Sequence, residues 1–155
     1  MEVTESEFYR LASVILKQSK KIKLAAKTPT LLLPSEQQGK WRIQYTEQLV
    51  KRIKNGKSKT QYLFSLPYLK SELNTLNEKE KQKIFNWWKL LLTYKSLDLR
   101  FTEKPFDSCI IGDSQMLVKE REKRFLISTN FSRSAEIERN FSLLFNKSEK
   151  GQIFI

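Results

Sequence analysis

The sequence predicts a single α/β domain in which a mixed β-sheet carries helices on both faces. Three observations lead there. The chain has 155 residues, the size of one compact domain with a substantial core. Its content of 39% hydrophobic and 12% aromatic residues, with only 4 Gly and 4 Pro, is that of a folded globule. Stretches of helical periodicity also alternate with short apolar runs, in the order helix, strand, helix, strand, helix, several strands, helix.

Each element has its own signal. Thr4 and Glu7 have capping-box spacing, and Phe8, Leu11, Ala12 and Ile15 then share one face, so a helix is expected over about 4–19. Residues 21–26 read as a short buried strand that stops at Thr28-Pro29-Thr30, and 31–40 as a loop. From Trp41, the apolar positions Tyr45, Leu49 and Ile53 recur every fourth residue until Asn55-Gly56, a helix stop. Residues 61–66, rich in aromatic and apolar side chains and followed by Pro67, read as a second buried strand. Asn77 and Glu80 repeat the capping-box spacing, and Ile84, Trp87, Trp88, Leu91 and Leu92 form a broad stripe that assigns both tryptophans to the core. Strands are expected at 97–101, 108–112, 116–119 and 125–128. A closing helix presents Ile137, Phe141, Leu144 and Phe145, with Ser132 or Ser134 as its cap.

Charge is the strongest compositional feature: 29 Lys and Arg against 17 Asp and Glu give a formal +12. Clusters lie at 17–23, 51–59, 79–83 and 119–124, and they suit either a well-solvated surface or an anion-binding face. The one cysteine, Cys109, sits in an apolar run, which predicts a buried, inert thiol and a reducing, cytoplasmic setting. No apolar segment approaches the roughly 18 residues that span a bilayer, and the acidic start MEVTESEFYR is unlike a signal peptide. One Cys and no His exclude the usual zinc sets, and neither a GxxxxGK loop nor a GxSxG elbow is present, so no cofactor or metal is expected.

The run Phe106-Asp-Ser-Cys-Ile-Ile-Gly-Asp113 reads as a strand delivering a carboxylate to its end. Together with the element order it resembles the phospholipase D-like superfamily, whose motif is His-x-Lys, four residues, then Asp, followed by a strand ending in Gly-Ser-x-Asn and a helix. Asp113 stands at the aspartate, Ser108 at the lysine and Phe106 at the histidine, while Ser128-Thr129-Asn130 resembles the strand end, with Asn130 as the match. In that superfamily the histidine takes up the phosphoryl group, and two such motifs meet across a pseudo-twofold axis. Here Phe106 offers no nucleophilic atom and Ser108 lacks the lysine's charge. The resemblance therefore implies a non-catalytic unit in which Asp113 shapes a turn. It also implies a homodimer, since this chain holds one unit. Degenerate units are similar to the effector-sensing domains of archaeal transcription regulators. In this chain the first helix leads straight into the first strand, with no space for a helix-turn-helix, so a stand-alone module is expected.

Two functions follow. The first is a regulatory sensor or interaction domain that recognises a small anionic ligand or a partner protein between strand ends, with Thr28, Ser65, Ser108, Asp113, Ser128 and Asn130 as contacts. Each has an ordinary alternative: Asp113 as a hairpin-turn residue, Ser128 to Asn130 as helix caps, Thr28 and Ser65 as loop hydroxyls. The second is non-specific nucleic-acid binding through Lys51, Arg52, Lys57, Lys59, Lys123 and Arg124. The placement of these residues, with Lys119 and Arg121, discriminates. Gathering on one face favours nucleic acid, and scatter around a polar pocket favours the sensor.

Overall fold

A computed structural model describes residues 1–27, 39–120 and 124–150. In chain order the elements are β1 (Glu2–Val3), α1 (Glu5–Gln18), β2 (Lys21–Ala26), α2 (Lys40–Asn55), β3 (Lys59–Ser65), α3 (Leu66–Leu73), α4 (Glu78–Leu92), β4 (Leu97–Thr102), β5 (Ser108–Ile111), β6 (Met116–Glu120), β7 (Arg124–Ile127), α5 (Phe131–Lys147) and β8 (Glu149–Lys150). The strands form one mixed sheet in the order β1-β7-β6-β5-β2-β3-β4-β8. Strands β2, β3 and β4 are parallel, and every other pairing is antiparallel.

Alternation along the strands sorts the core into two layers, because successive side chains point to opposite faces. Ile22, Leu24, Tyr62, Phe64, Leu99, Ile110 and Leu117 face one side, where α1, α2, α3 and α4 cover them with Ile15, Leu49, Leu69 and Trp88. Ala25, Leu63, Cys109, Ile111, Met116 and Val118 face the other, against Phe141 and Phe145 of α5. Arg100 ties α5 to the sheet edge by donating to the Phe145 carbonyl at 3.1 Å and pairing with Asp98 at 3.1 Å. Helices on both faces of a mixed sheet are what the element order predicts.

The caps explain where the helices stop and start. Thr4 accepts from the Glu7 amide at 3.2 Å, although the Glu7 carboxylate turns to Arg10 instead of closing a capping box. The box at Asn77 and Glu80 is complete, at 2.8 and 3.3 Å. Gly56 ends α2 in the left-handed region, φ 72°, where a side chain would be strained.

Four readings need correction. Strand β3 begins at Lys59 and ends at Ser65, and Pro67 opens helix α3 rather than merely ending a strand, since proline fits a helix's first turn. Ser65 caps that helix. Asn130, not Ser132 or Ser134, caps α5, accepting from the Arg133 amide at 3.1 Å. Of the two tryptophans, Trp88 is buried, while Trp87 packs against the same core and is half-buried. The strand stop at 28–30 and nearly all of the loop at 31–40 lie outside the described residues.

Candidate functional site

Three hydrogen bonds fix the place of Asp113. The Asp113 carboxylate accepts from the backbone amides of Lys20 at 2.7 Å and Lys21 at 3.2 Å, and its own amide donates to Ser19 Oγ at 3.2 Å. Those amides hold its carboxyl below the usual carboxylate range, with a smaller contribution from the Arg52 charge. So Asp113 sits in the hairpin turn between β5 and β6 as expected, while its carboxylate holds the turn between α1 and β2. Gly112 makes the approach possible. A Cβ there would lie 2.5 Å from Ser19 Oγ and 2.6 Å from Ile15 Cγ2.

Arg52 completes the same junction. Its Nε donates to Thr60 Oγ1 at 2.9 Å, one terminal nitrogen to the carbonyls of Leu16 at 3.0 Å and Ser19 at 2.6 Å, and the other to those of Lys20 and Lys59 at 3.0 Å each. All five guanidinium protons are engaged. Burial lowers its pKa, and the nearby Asp113 charge opposes that shift. Arg52, expected from the sequence among the nucleic-acid contacts, is therefore a clamp joining the end of α1 to β2 and β3.

Around this clamp the lysines gather. Strands β2, β3 and β4 begin at one edge of the sheet, and α1, α2 and α4 return to that edge with their C-termini. Lys17, Lys20, Lys21, Lys51, Lys54, Lys57, Lys59 and Lys95 are carried there on helix ends, turns and strand starts, all of them exposed. Cations near helix C-termini complement the macrodipole, which accounts for Lys17 and Lys54 without a ligand. It does not account for Lys20, Lys21, Lys57 and Lys59, which lie beyond the helices. Lys21 and Lys59 are direct partners in the parallel register, so two like charges stand on adjacent strands.

Two hollows open along this rim. One, of about 290 Å³, is lined by Leu16, Lys17, Ser19, Gln48, Lys51, Arg52, Asn55, Lys57 and Ser58, with no carboxylate among these described residues. The second, of about 580 Å³, runs onto the α5 side of the sheet past Lys21, Lys23, Lys59 and Gln61, and it holds Asp113 and Glu138. Glu138 is paired with Lys23 at 2.9 Å.

The other predicted residues lie elsewhere. Arg124 is opposite Glu120 at the far end of the sheet, level with Lys27, roughly 20 Å along the strands from Lys21. It is held by Glu2 at 3.7 Å and Glu120 at 3.9 Å. Lys119 is at that end too, over the Phe125 ring. Thr28, Arg121 and Lys123 lie outside the described residues. Ser65 and Asn130 serve as helix caps, and Ser128 shares a 2.6 Å hydrogen bond with Ser134. Ser108 lines a hollow of about 270 Å³ with Tyr9, Arg42, Tyr45 and Lys119, at the opposite end of the sheet from Asp113. The described members of the proposed ligand set are thus not brought together, whereas Lys51, Lys57 and Lys59 are.

Cys109 is buried, and burial pushes its thiol up to about 12. Among the described residues no helix is long and apolar enough to cross a membrane.

No protein-family model and no curated protein matches the chain. The solved structure of TrmBL2, described as an archaeal chromatin protein that shows a novel mode of DNA binding, is similar to it with a TM-score of 0.59 and 18% identity. That likeness covers 97% of this chain and 51% of the other, so the chain spans about half the length of TrmBL2. At this identity the likeness is one of fold.

Proposed function

We propose that this is a non-catalytic nucleic-acid-binding protein that engages the phosphate backbone through the basic rim at the start of its parallel strands. The observation that carries the reading is the carboxylate-free hollow lined by Lys17, Lys51, Arg52 and Lys57, flanked by exposed Lys20, Lys21 and Lys59. Lysine ammonium groups act as point charges on phosphates, and their release of counterions drives binding without reading base edges. The like-charged pair Lys21 and Lys59 costs the sheet stability that a bound polyanion would return.

A sensor for a small anion would need convergent polar groups, and the described candidates for that role are spread over both ends of the sheet. The DNA-binding character of TrmBL2 belongs to a protein about twice as long, and it agrees with this reading without carrying it.

The test is a salt series on unrelated duplexes and single strands. If about five phosphates are engaged, the logarithm of affinity falls against the logarithm of salt with a slope of roughly 4–5 on duplex DNA. Lys51→Glu with Lys57→Glu lowers affinity for all sequences alike, while Arg124→Glu at the far end changes it little. Salt-insensitive binding, strong preference for one sequence, or equal losses from both ends of the sheet refutes the proposal.

A further inference from the structure

Trp87 of α4 lies beside the basic rim. It lines a shallow hollow of about 530 Å³ with Glu47, Val50, Lys51, Lys54 and Asn55 of α2, and two of these, Lys51 and Asn55, also line the carboxylate-free hollow. Its neighbour in sequence, Trp88, is 2% exposed and belongs to the core, whereas Trp87 is half-buried, with the Lys54 ammonium 5.2 Å from its ring centre. The helical stripe read from the sequence put both rings in the core and so left the fold with no stacking surface. In the structure Trp87 packs against that core and leaves the remainder of its surface on the hollow.

We infer that the Trp87 hollow takes an unpaired nucleobase of a single strand whose phosphates lie on Lys51, Lys54 and Lys57. The inference rests on the polyanion reading above and adds a preference for single strands to it. An aromatic face flanked by cations is what sequence-independent single-strand binding requires, because every base has a π-face and every nucleotide a phosphate. The base replaces the Lys54 ammonium on the ring. That exchange is favourable, since an exposed cation–π contact is weaker than base stacking, and the freed ammonium is left beside the phosphate it can neutralise. A duplex keeps its bases stacked inside and gains nothing from Trp87.

The experiment titrates the protein at low salt with a fluorescent thymidine homopolymer, an abasic strand of the same length and a duplex. The homopolymer binds about tenfold more tightly than the abasic strand, the worth of one stacked base. Trp87→Leu removes that advantage while leaving abasic-strand binding unchanged, and Trp87→Phe keeps part of it. Circular dichroism checks that the variants are folded. Should Trp87→Leu fail to fold, Trp87→Phe and the wild-type comparison of the two strands still decide. Equal binding of homopolymer and abasic strand by the wild type, or an advantage that survives in a folded Trp87→Leu, overturns the stacking site alone. No binding of any of the three overturns the polyanion reading beneath it.

Discussion

Arg52→Lys separates a structural clamp from a phosphate contact, because it keeps the charge and removes the planar fork. The five bonds of Arg52 reach three chain segments: the end of α1, the turn before β2, and the start of β3, where both the Lys59 carbonyl and the Thr60 side chain accept. A lysine ammonium has three donors on one atom and cannot span them. The bonds to Thr60 Oγ1, Leu16 and Ser19 are partly buried, and losing them costs about 1 kcal/mol each. The two to Lys20 and Lys59 are exposed, and water replaces them at little cost. The expected loss is about 2–3 kcal/mol, which for a chain of this size lowers the Tm by roughly 4–12 °C. Thermal unfolding followed by circular dichroism measures it. Affinity for DNA well below the Tm should stay within about twofold of wild type, since the charge is conserved. An unchanged Tm accompanied by a tenfold loss of affinity would show that Arg52 contacts phosphate and that the clamp is unimportant.

The neighbouring positions give further expectations. Asp113 has its folded pKa depressed by the Lys20 and Lys21 amides, so its stabilisation is present above about pH 4, the unfolded value, and is lost as pH falls through the folded pKa. Asp113→Asn should therefore destabilise the protein at pH 6, and the difference should shrink as pH falls below about 4, as read from Tm against pH; a difference that does not shrink with falling pH would contradict the assignment. Gly112→Ala should cost about 1–3 kcal/mol by crowding Ile15 and Ser19, and a neutral result in chemical denaturation would show that the junction can open. Native Cys109 should react with a thiol reagent far more slowly than the unfolded chain, because it is buried and its thiolate is disfavoured. Turnover of a generic phosphodiester should not be detected; activity lost on Ser108→Ala or Asp113→Asn would contradict the non-catalytic reading.

Much of the fold was legible because its helices are locally punctuated. Thr4, Asn77 and Gly56 mark ends that the structure uses as the sequence suggests. Helix α3 escaped because Pro67 signals both the end of a strand and the first turn of a helix, and local pattern does not choose between them. The edge strands β1 and β8 are two residues each, too short for any alternation to show. Asp113 was harder for a different reason: the amides it binds are 92 and 93 residues away, and no window along the chain contains both ends of such a contact. The one local hint is the preceding glycine, since a Gly-Asp pair permits the close backbone approach that capping a distant turn needs.

The rim, by contrast, follows from a rule that connects distant windows. Parallel strands joined by helices begin at the edge where the helices end, so charges just before β2 and just before β3 must meet whatever lies between them. Clusters 17–23 and 51–59 satisfy that condition. Lys119 and Arg124 of the cluster 119–124 do not, because β5 runs antiparallel to β2 and its hairpin returns β6 in the direction of β2, so the end of β6 and the start of β7 lie at the other end. Sorting the basic clusters by the strand end they precede therefore divides the described ones into a rim with few carboxylates and a far end where Arg124 is already paired.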